Sequence, residues 1–114
     1  MAGVITVNGG KYTGTEVITV QGTNGPVQET IGVNGTPNVG SNDVLVNGLG
    51  VVRLSDVQTN GSAPGMTYQA SQGSATVFVN QQPVVCNGDA GSSVSTQGSG
   101  FGSFSGGSTV VNVG

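Results

Sequence analysis

The sequence predicts an all-β chain folded as one domain, and three observations carry that prediction. Val and Thr are abundant while the strong helix formers Ala, Leu, Glu and Lys are scarce, which favours extended backbone. Short alternating apolar runs are punctuated by Asn-Gly pairs at Asn8-Gly9, Asn24-Gly25, Asn34-Gly35, Asn47-Gly48, Asn60-Gly61 and Asn87-Gly88. Both residues tolerate the positive φ that a tight hairpin turn demands. The length, 114 residues, is that of a single domain with a modest core.

Composition then removes several classes of function. Only 6% of the chain is charged, and the net charge of −3 rests on Glu16, Glu29, Asp43, Asp56 and Asp89 against Lys11 and Arg53. No cluster of Lys and Arg exists to line a nucleic-acid groove. The 22 glycines follow no Gly-X-Y period, and the charge is too low for charge-driven disorder. No stretch approaches the roughly 20 apolar residues of a membrane helix. The start, Met1 to Val7, lacks the basic residues and continuous apolar run of a signal peptide, so synthesis in the cytoplasm without ordinary secretion is expected. Cys86 is the single cysteine, which excludes an internal disulfide. Asn34-Gly35-Thr36 and Asn60-Gly61-Ser62 fit the glycosylation sequon and are read as turns.

In chain order, Gly3 to Asn8 is a short strand. The segment from about 10 to 39 is an inserted hairpin, Val17 to Val20 and Val27 to Ile31 flanking a turn at Thr23-Asn24-Gly25-Pro26. A repeat follows: Asp43 to Asp56 lies over Thr76 to Asp89 without a gap, 33 residues on, and the same step reaches Thr109 to Gly114. Gly40, Gly73 and Gly106 precede the three copies in register. The third copy stops at its turn. Its return strand is expected from Gly3-Val4-Ile5-Thr6-Val7-Asn8, which resembles Gly50 to Ser55 and Pro83 to Gly88. The termini then meet, and units at about 40–56, 73–89 and 106–114, closed by 1–9, form a ring of three hairpins about a pseudo-threefold axis. Val44, Val46, Val52, Val77, Val79, Val85 and Val110 are expected to point inward by alternation.

The unit Gly73-Ser74-Ala75-Thr76-Val77-Phe78-Val79-Asn80-Gln81-Gln82-Pro83-Val84-Val85-Cys86-Asn87-Gly88-Asp89 resembles the repeat of PAAR proteins, the conical tips of contractile phage tails and type VI secretion spikes. The similarity covers roughly residues 1–9 and 40–114, and the Pro-Ala-Ala-Arg signature becomes Pro83-Val84-Val85-Cys86 and Gly50-Val51-Val52-Arg53. The resemblance implies a small conical PAAR-like fold that caps and sharpens a trimeric β-helical spike, one cap per trimer, for membrane piercing at a virion tail tip or in a secretion apparatus. It also implies a tip metal held by three His and one Cys. This chain has no His, so neither that metal nor any other cofactor is expected. In the family the sharp end follows the Gly-Asp closing each unit, so segments after Asp56 and Asp89 should run to the apex. The opposite turns should then form the docking base: Asn47, Gly48 and Leu49, Asn80, Gln81 and Gln82, and Val113.

The remaining chemistry-bearing residues are few. Cys86 lies on an expected strand and reads as a small buried side chain rather than a ligand. Asp56 and Asp89 occupy equivalent strand ends and read as caps of turn backbone. Lys11 after Gly9-Gly10 lacks the other residues of a phosphate loop. The run Gly98 to Gly107 is expected as an ordered apex loop plugged by Phe101 and Phe104. With no His and no Cys or Ser nucleophile beside a base, the chain is expected not to be an enzyme. The rival reading is a carbohydrate-binding or adhesin-like β module, for which Tyr12, Tyr68, Phe78, Phe101 and Phe104 are the available aromatics.

Overall fold

A computed structural model describes residues 3–4, 10–46, 48–105 and 112–113, the two terminal pairs by backbone alone. Their strands are β1 (Gly3–Val4), β2 (Lys11–Gly22), β3 (Gly25–Gly35), β4 (Leu45–Val46), β5 (Leu49–Gly50), β6 (Thr67–Ala70), β7 (Phe78–Val79), β8 (Gln82–Pro83), β9 (Ala90–Val94), β10 (Gly98–Ser105) and β11 (Asn112–Val113). No helix occurs among the described residues.

The longest element is the hairpin β2–β3, because Tyr12, Glu16 and Ile18 alternate with Thr13, Thr15, Val17 and Thr19 and give one strand a buried and a solvated face. Its turn differs from the expected one. Gly22 lies opposite Gly25, Thr23 and Asn24 form the loop, and only Gly25 takes a positive φ, 115°. The glycine therefore follows the two-residue loop as the first residue of β3, where it takes the positive φ that closes the turn, instead of sitting within it. β2 and β3 join an antiparallel sheet in the order β3-β2-β10-β9-β6.

β10 corrects one expectation. Gly98 to Ser105, expected within an apex loop, is a strand paired with β2 from Gly98–Ile18 to Ser105–Lys11 and with β9 on its other side. Its glycines alternate with Ser and Phe, and backbone of that kind can lie flush against a neighbour. A Cβ on Gly100 would stand 2.7 Å from the Glu16 Cα and overlap the Thr15 carbonyl. Phe104 is no plug at a tip, since it is fully buried in the main core. There Tyr12 stacks on Tyr68 with centroids 4.6 Å apart and Phe104 meets Tyr12 edge-on at 5.1 Å.

The repeat has a structural counterpart in two copies. β4–β5 pairs Leu45 with Gly50 and Val46 with Leu49, and β7–β8 pairs Phe78 with Pro83 and Val79 with Gln82, each partner shifted by 33. The supporting bonds repeat too. Ser41 Oγ accepts from the Asp43 and Val44 amides, as Ser74 Oγ does from Thr76 and Val77. Asp56 Oδ2 accepts from the Arg53 amide at 2.9 Å, as Asp89 Oδ2 does from Cys86 at 2.7 Å. At the ends of the chain, β1 pairs antiparallel with β11, Gly3 opposite Val113, two positions along from the register of the other hairpins.

Two apolar clusters result. Val51, Val79, Val84 and Cys86 pack with Val46 and Val77 beneath the repeat hairpins. Val52 and Val85, one residue further on and facing the other way, join the aromatic trio, Val33, Met66 and Ala63 beneath the sheet. Val44 departs from the expected inward set, being 40% exposed because the two-residue strand begins only after it. Val110 lies outside the described residues. The molecule measures 52 × 24 × 23 Å. Its length follows from β2: Ser105, opposite Lys11, neighbours Phe104, which exchanges backbone bonds with the Gly88-Asp89 turn. Gly22 is eleven residues further, roughly 37 Å at ~3.4 Å per residue. The Thr23-Asn24 tip thus stands at the end remote from the repeat hairpins, and it, rather than 98–105, is the extremity of the sheet; Gly106 and Gly107 of the expected apex loop lie outside the described residues.

Candidate docking face

Two of the three expected base turns close the hairpins β4–β5 and β7–β8, each held by the Ser41- or Ser74-centred bonds behind it, and the third, where Gly114 would meet Met1 and Ala2, lies outside the described residues. Gly48 has φ 79°, and in the second hairpin Asn80 and Gln81 take 53° and 68°. Two consecutive positive values are those of a type I′ turn, the connection whose twist suits a two-residue hairpin. Gln81 is exposed in this conformation with the position of Gly48 as its counterpart.

Asn80, expected as a docking residue, is committed elsewhere. Its Oδ1 accepts from Ser41 Oγ at 2.7 Å and from Arg53 Nη1 at 3.0 Å, and its Nδ2 lies 3.4 Å from Asp43 Oδ2. Arg53 is itself fixed by Asp56, through Nη2–Oδ1 at 2.8 Å and Nε–Oδ2 at 3.0 Å. Hydrogen bonding to Asp56 holds the guanidinium above its usual pKa. The turn of the second repeat is thereby clasped to the first. Asn47 lies outside the described residues, and Val113 is described only as backbone paired with Gly3. Leu49 is exposed as expected, and Gln82 is half-buried.

The apolar surface at this end comes largely from residues that the turn-centred expectation missed. Leu45 and Phe78, equivalent positions of the two hairpins, are 53% and 54% exposed. Alternation held the signal: placing Val46 and Val79 inward puts the preceding residue outward. Leu49 and Val44 extend the patch on the first hairpin. What this face offers is apolar contact repeated at one position per unit, without an ionisable group at Leu45, Phe78, Leu49 or Gln82.

No family model, curated protein or solved structure matches the chain. The local chemistry must therefore stand on its own. Cys86 is buried in the repeat core, and burial first, then Asp89, pushes its thiol pKa up, which keeps it protonated and a poor ligand. Among the described residues no three His, Cys, Asp or Glu side chains come together as a metal-holding group. Asp56 and Asp89 serve as turn caps, each closing a turn whose own amide returns to the carbonyl of Arg53 or Cys86 at 3.0 Å.

One polar cluster was not foreseen. Glu16 is fully buried, with Ser93 Oγ donating to its Oε2 at 2.5 Å and Ser95 Oγ to its Oε1 at 2.6 Å. It reaches Ser93 across Gly100, the residue paired with both. With both oxygens satisfied and closed from solvent, this carboxylate ties β2 to β9. Tyr12 lies nearby with its hydroxyl buried and unpartnered. Burial raises its pKa, an effect that Ser93 opposes without a hydrogen bond of ordinary geometry.

Proposed function

We propose that the chain is a structural, PAAR-like tip protein: a cap on the end of a trimeric β-helical spike, in a contractile phage tail or a type VI secretion apparatus, that sharpens the spike for envelope piercing. The observation that carries this reading is the pair Leu45 and Phe78, exposed large apolar side chains at one position in two copies of the same hairpin. A chain that repeats one contact by an internal step suits a partner whose identical subunits offer the complementary contact around an axis. Val111 is the next residue at that step.

Two further observations support it. The Val85 amide donates to the Val52 carbonyl at 3.0 Å, a contact between positions exactly one repeat apart and so head-to-tail, the kind that closes a ring when the turn per unit permits. The molecule is also slender, with the repeat hairpins at one end and the long hairpin tip at the other. In this reading the repeat hairpins are the base, and β2–β3 leads. No catalytic step and no metal enters the mechanism, which is mechanical: the cap converts a blunt trimer end into a narrow one and covers its open strand edges.

The test is the mass of the complex formed with a trimeric β-helical spike protein encoded beside this chain. One cap per three spike chains is expected, and three caps per trimer overturns the reading. Burying one exposed Leu or Phe is worth on the order of 1.5–3 kcal/mol, and about half that from a half-buried start. Leu45→Glu and Phe78→Glu should each weaken the complex roughly tenfold.

A further inference from the structure

We propose that the solvent face of the five-stranded sheet binds a neutral saccharide, with Phe101 as the stacking platform. Phe101 is 79% exposed, more than any other large apolar side chain among the described residues, and it belongs to neither core cluster. The fold makes no use of it. On its two sides, across the pairing, stand Thr15 of β2 and Ser92 of β9. Two residues along its own strand in either direction are Ser99 and Ser103, on the same face. Phe101 is therefore flanked by four hydroxyl-bearing residues, whose backbone positions lie about 4.8 Å away across the strands and about 6.8 Å along its own. Val17 and Val94, exposed in the adjacent row and both opposite Ser99, extend the apolar floor on one side.

This arrangement matches a pyranose ring, which has an apolar C–H face and a rim of hydroxyls. The C–H face fits the negative π-face of Phe101, and the rim meets the donors and acceptors of Thr15, Ser92, Ser99 and Ser103. Charge selects the class further. Along β2 this face runs from Thr13 to Gln21 without an ionisable side chain, and its one cation, Lys11, stands four residues from Thr15, roughly 14 Å along the strand, so an anionic sugar seated on Phe101 finds no counterion beside it and a charged lipid surface finds a single one. A stable protein interface needs about 800 Å² per partner with an apolar centre. One Phe and two Val ringed by hydroxyls supply much less. The site is distinct from the repeat hairpins, so it stands whether or not the chain caps a spike.

The experiment is an amide-shift titration of the whole chain with maltohexaose, cellohexaose and chitohexaose, run alongside Phe101→Ala and Phe101→Tyr. Saturable shifts confined to 13–17, 92–94 and 99–103 are expected with at least one sugar. Affinity should fall about tenfold in Phe101→Ala and stay within about threefold in Phe101→Tyr. Phe101 is outside the cores, so an unchanged melting temperature will show both variants folded. Absence of saturable shifts at roughly 10 mM of every sugar overturns the proposal, as does binding indifferent to Phe101→Ala. A dimer that Phe101→Ala abolishes, without sugar binding, assigns the face to a second copy, and sedimentation with phosphatidylcholine vesicles alone assigns it to lipid; either result also overturns it.

Discussion

Gln81 holds a left-handed backbone, φ 68°, that Gly48 reaches without penalty in the sister hairpin. A non-glycine residue in that region costs roughly 1–2 kcal/mol, partly offset by the ~0.5–1 kcal/mol that glycine loses in unfolded-state entropy. Gln81→Gly should therefore stabilise the chain by about 0.5–1 kcal/mol, read as a higher urea midpoint at unchanged slope. A fall in midpoint would mean that the Gln81 side chain makes a contact worth more than the strain. A second prediction belongs to Tyr68, whose hydroxyl donates to Asn60 Oδ1 at 2.8 Å and whose pKa burial pushes from 10.0 to about 12. The folded state binds this proton more tightly than the unfolded state, so the stability it contributes is complete below pH 10.0 and is lost as the pH rises towards 12. Melting temperature should fall across that window, and in Tyr68→Phe the fall should be shallower.

At the scale of one element, β10 shows why a strand can be hard to see. Gly and Ser have low strand propensity, so Gly98 to Ser105 reads as a loop on residue type alone. A different signal is present: glycines at 98, 100 and 102 recur every second residue, the period of a strand with one face pressed against its neighbour. Gly100→Ala should be severely destabilising, more than about 3 kcal/mol, since its Cβ meets rigid backbone of β2. Ser99→Ala, outward on the same strand, should stay within about 0.5 kcal/mol. Equal effects would remove the close-approach explanation. The repeat hairpins were legible for the opposite reason, because their Val-rich alternation, turn residues and capping Asp56 and Asp89 all point to one structure. Glu16 was invisible as a buried tie: its partners Ser93 and Ser95 are nearly 80 residues away and no spacing rule joins them.

For the whole molecule, the adjacent residues Val51 and Val52, with Val84 and Val85, face into separate cores and join the repeat end to the sheet end. Val85→Ala should therefore loosen both ends together, lowering stability by about 1–3 kcal/mol in a single cooperative transition. Two separated transitions would show that the ends fold independently. The expected all-β class holds over the described residues, while the five-stranded sheet that dominates the molecule was foreseen only in its β2–β3 hairpin, because β10 joins β2 from Gly98–Ile18 to Ser105–Lys11, 80 to 94 residues apart, and carries no apolar pattern.

The clasp of Asn80 to Ser41 and Arg53 has a consequence for imaging. The counterparts of Asn80, Ser41 and Arg53 one step along are Val113, Ser74 and Cys86, so only one seam of the molecule can be built from this amide and guanidinium. On a threefold partner such a chain has three seatings of equal energy, differing in which subunit lies beneath the polar seam. Particle averaging with threefold symmetry imposed would preserve the repeat hairpins and blur the hairpin tip into a featureless cone. Reconstruction without symmetry, after sorting particles on the position of the β2–β3 blade, would restore it.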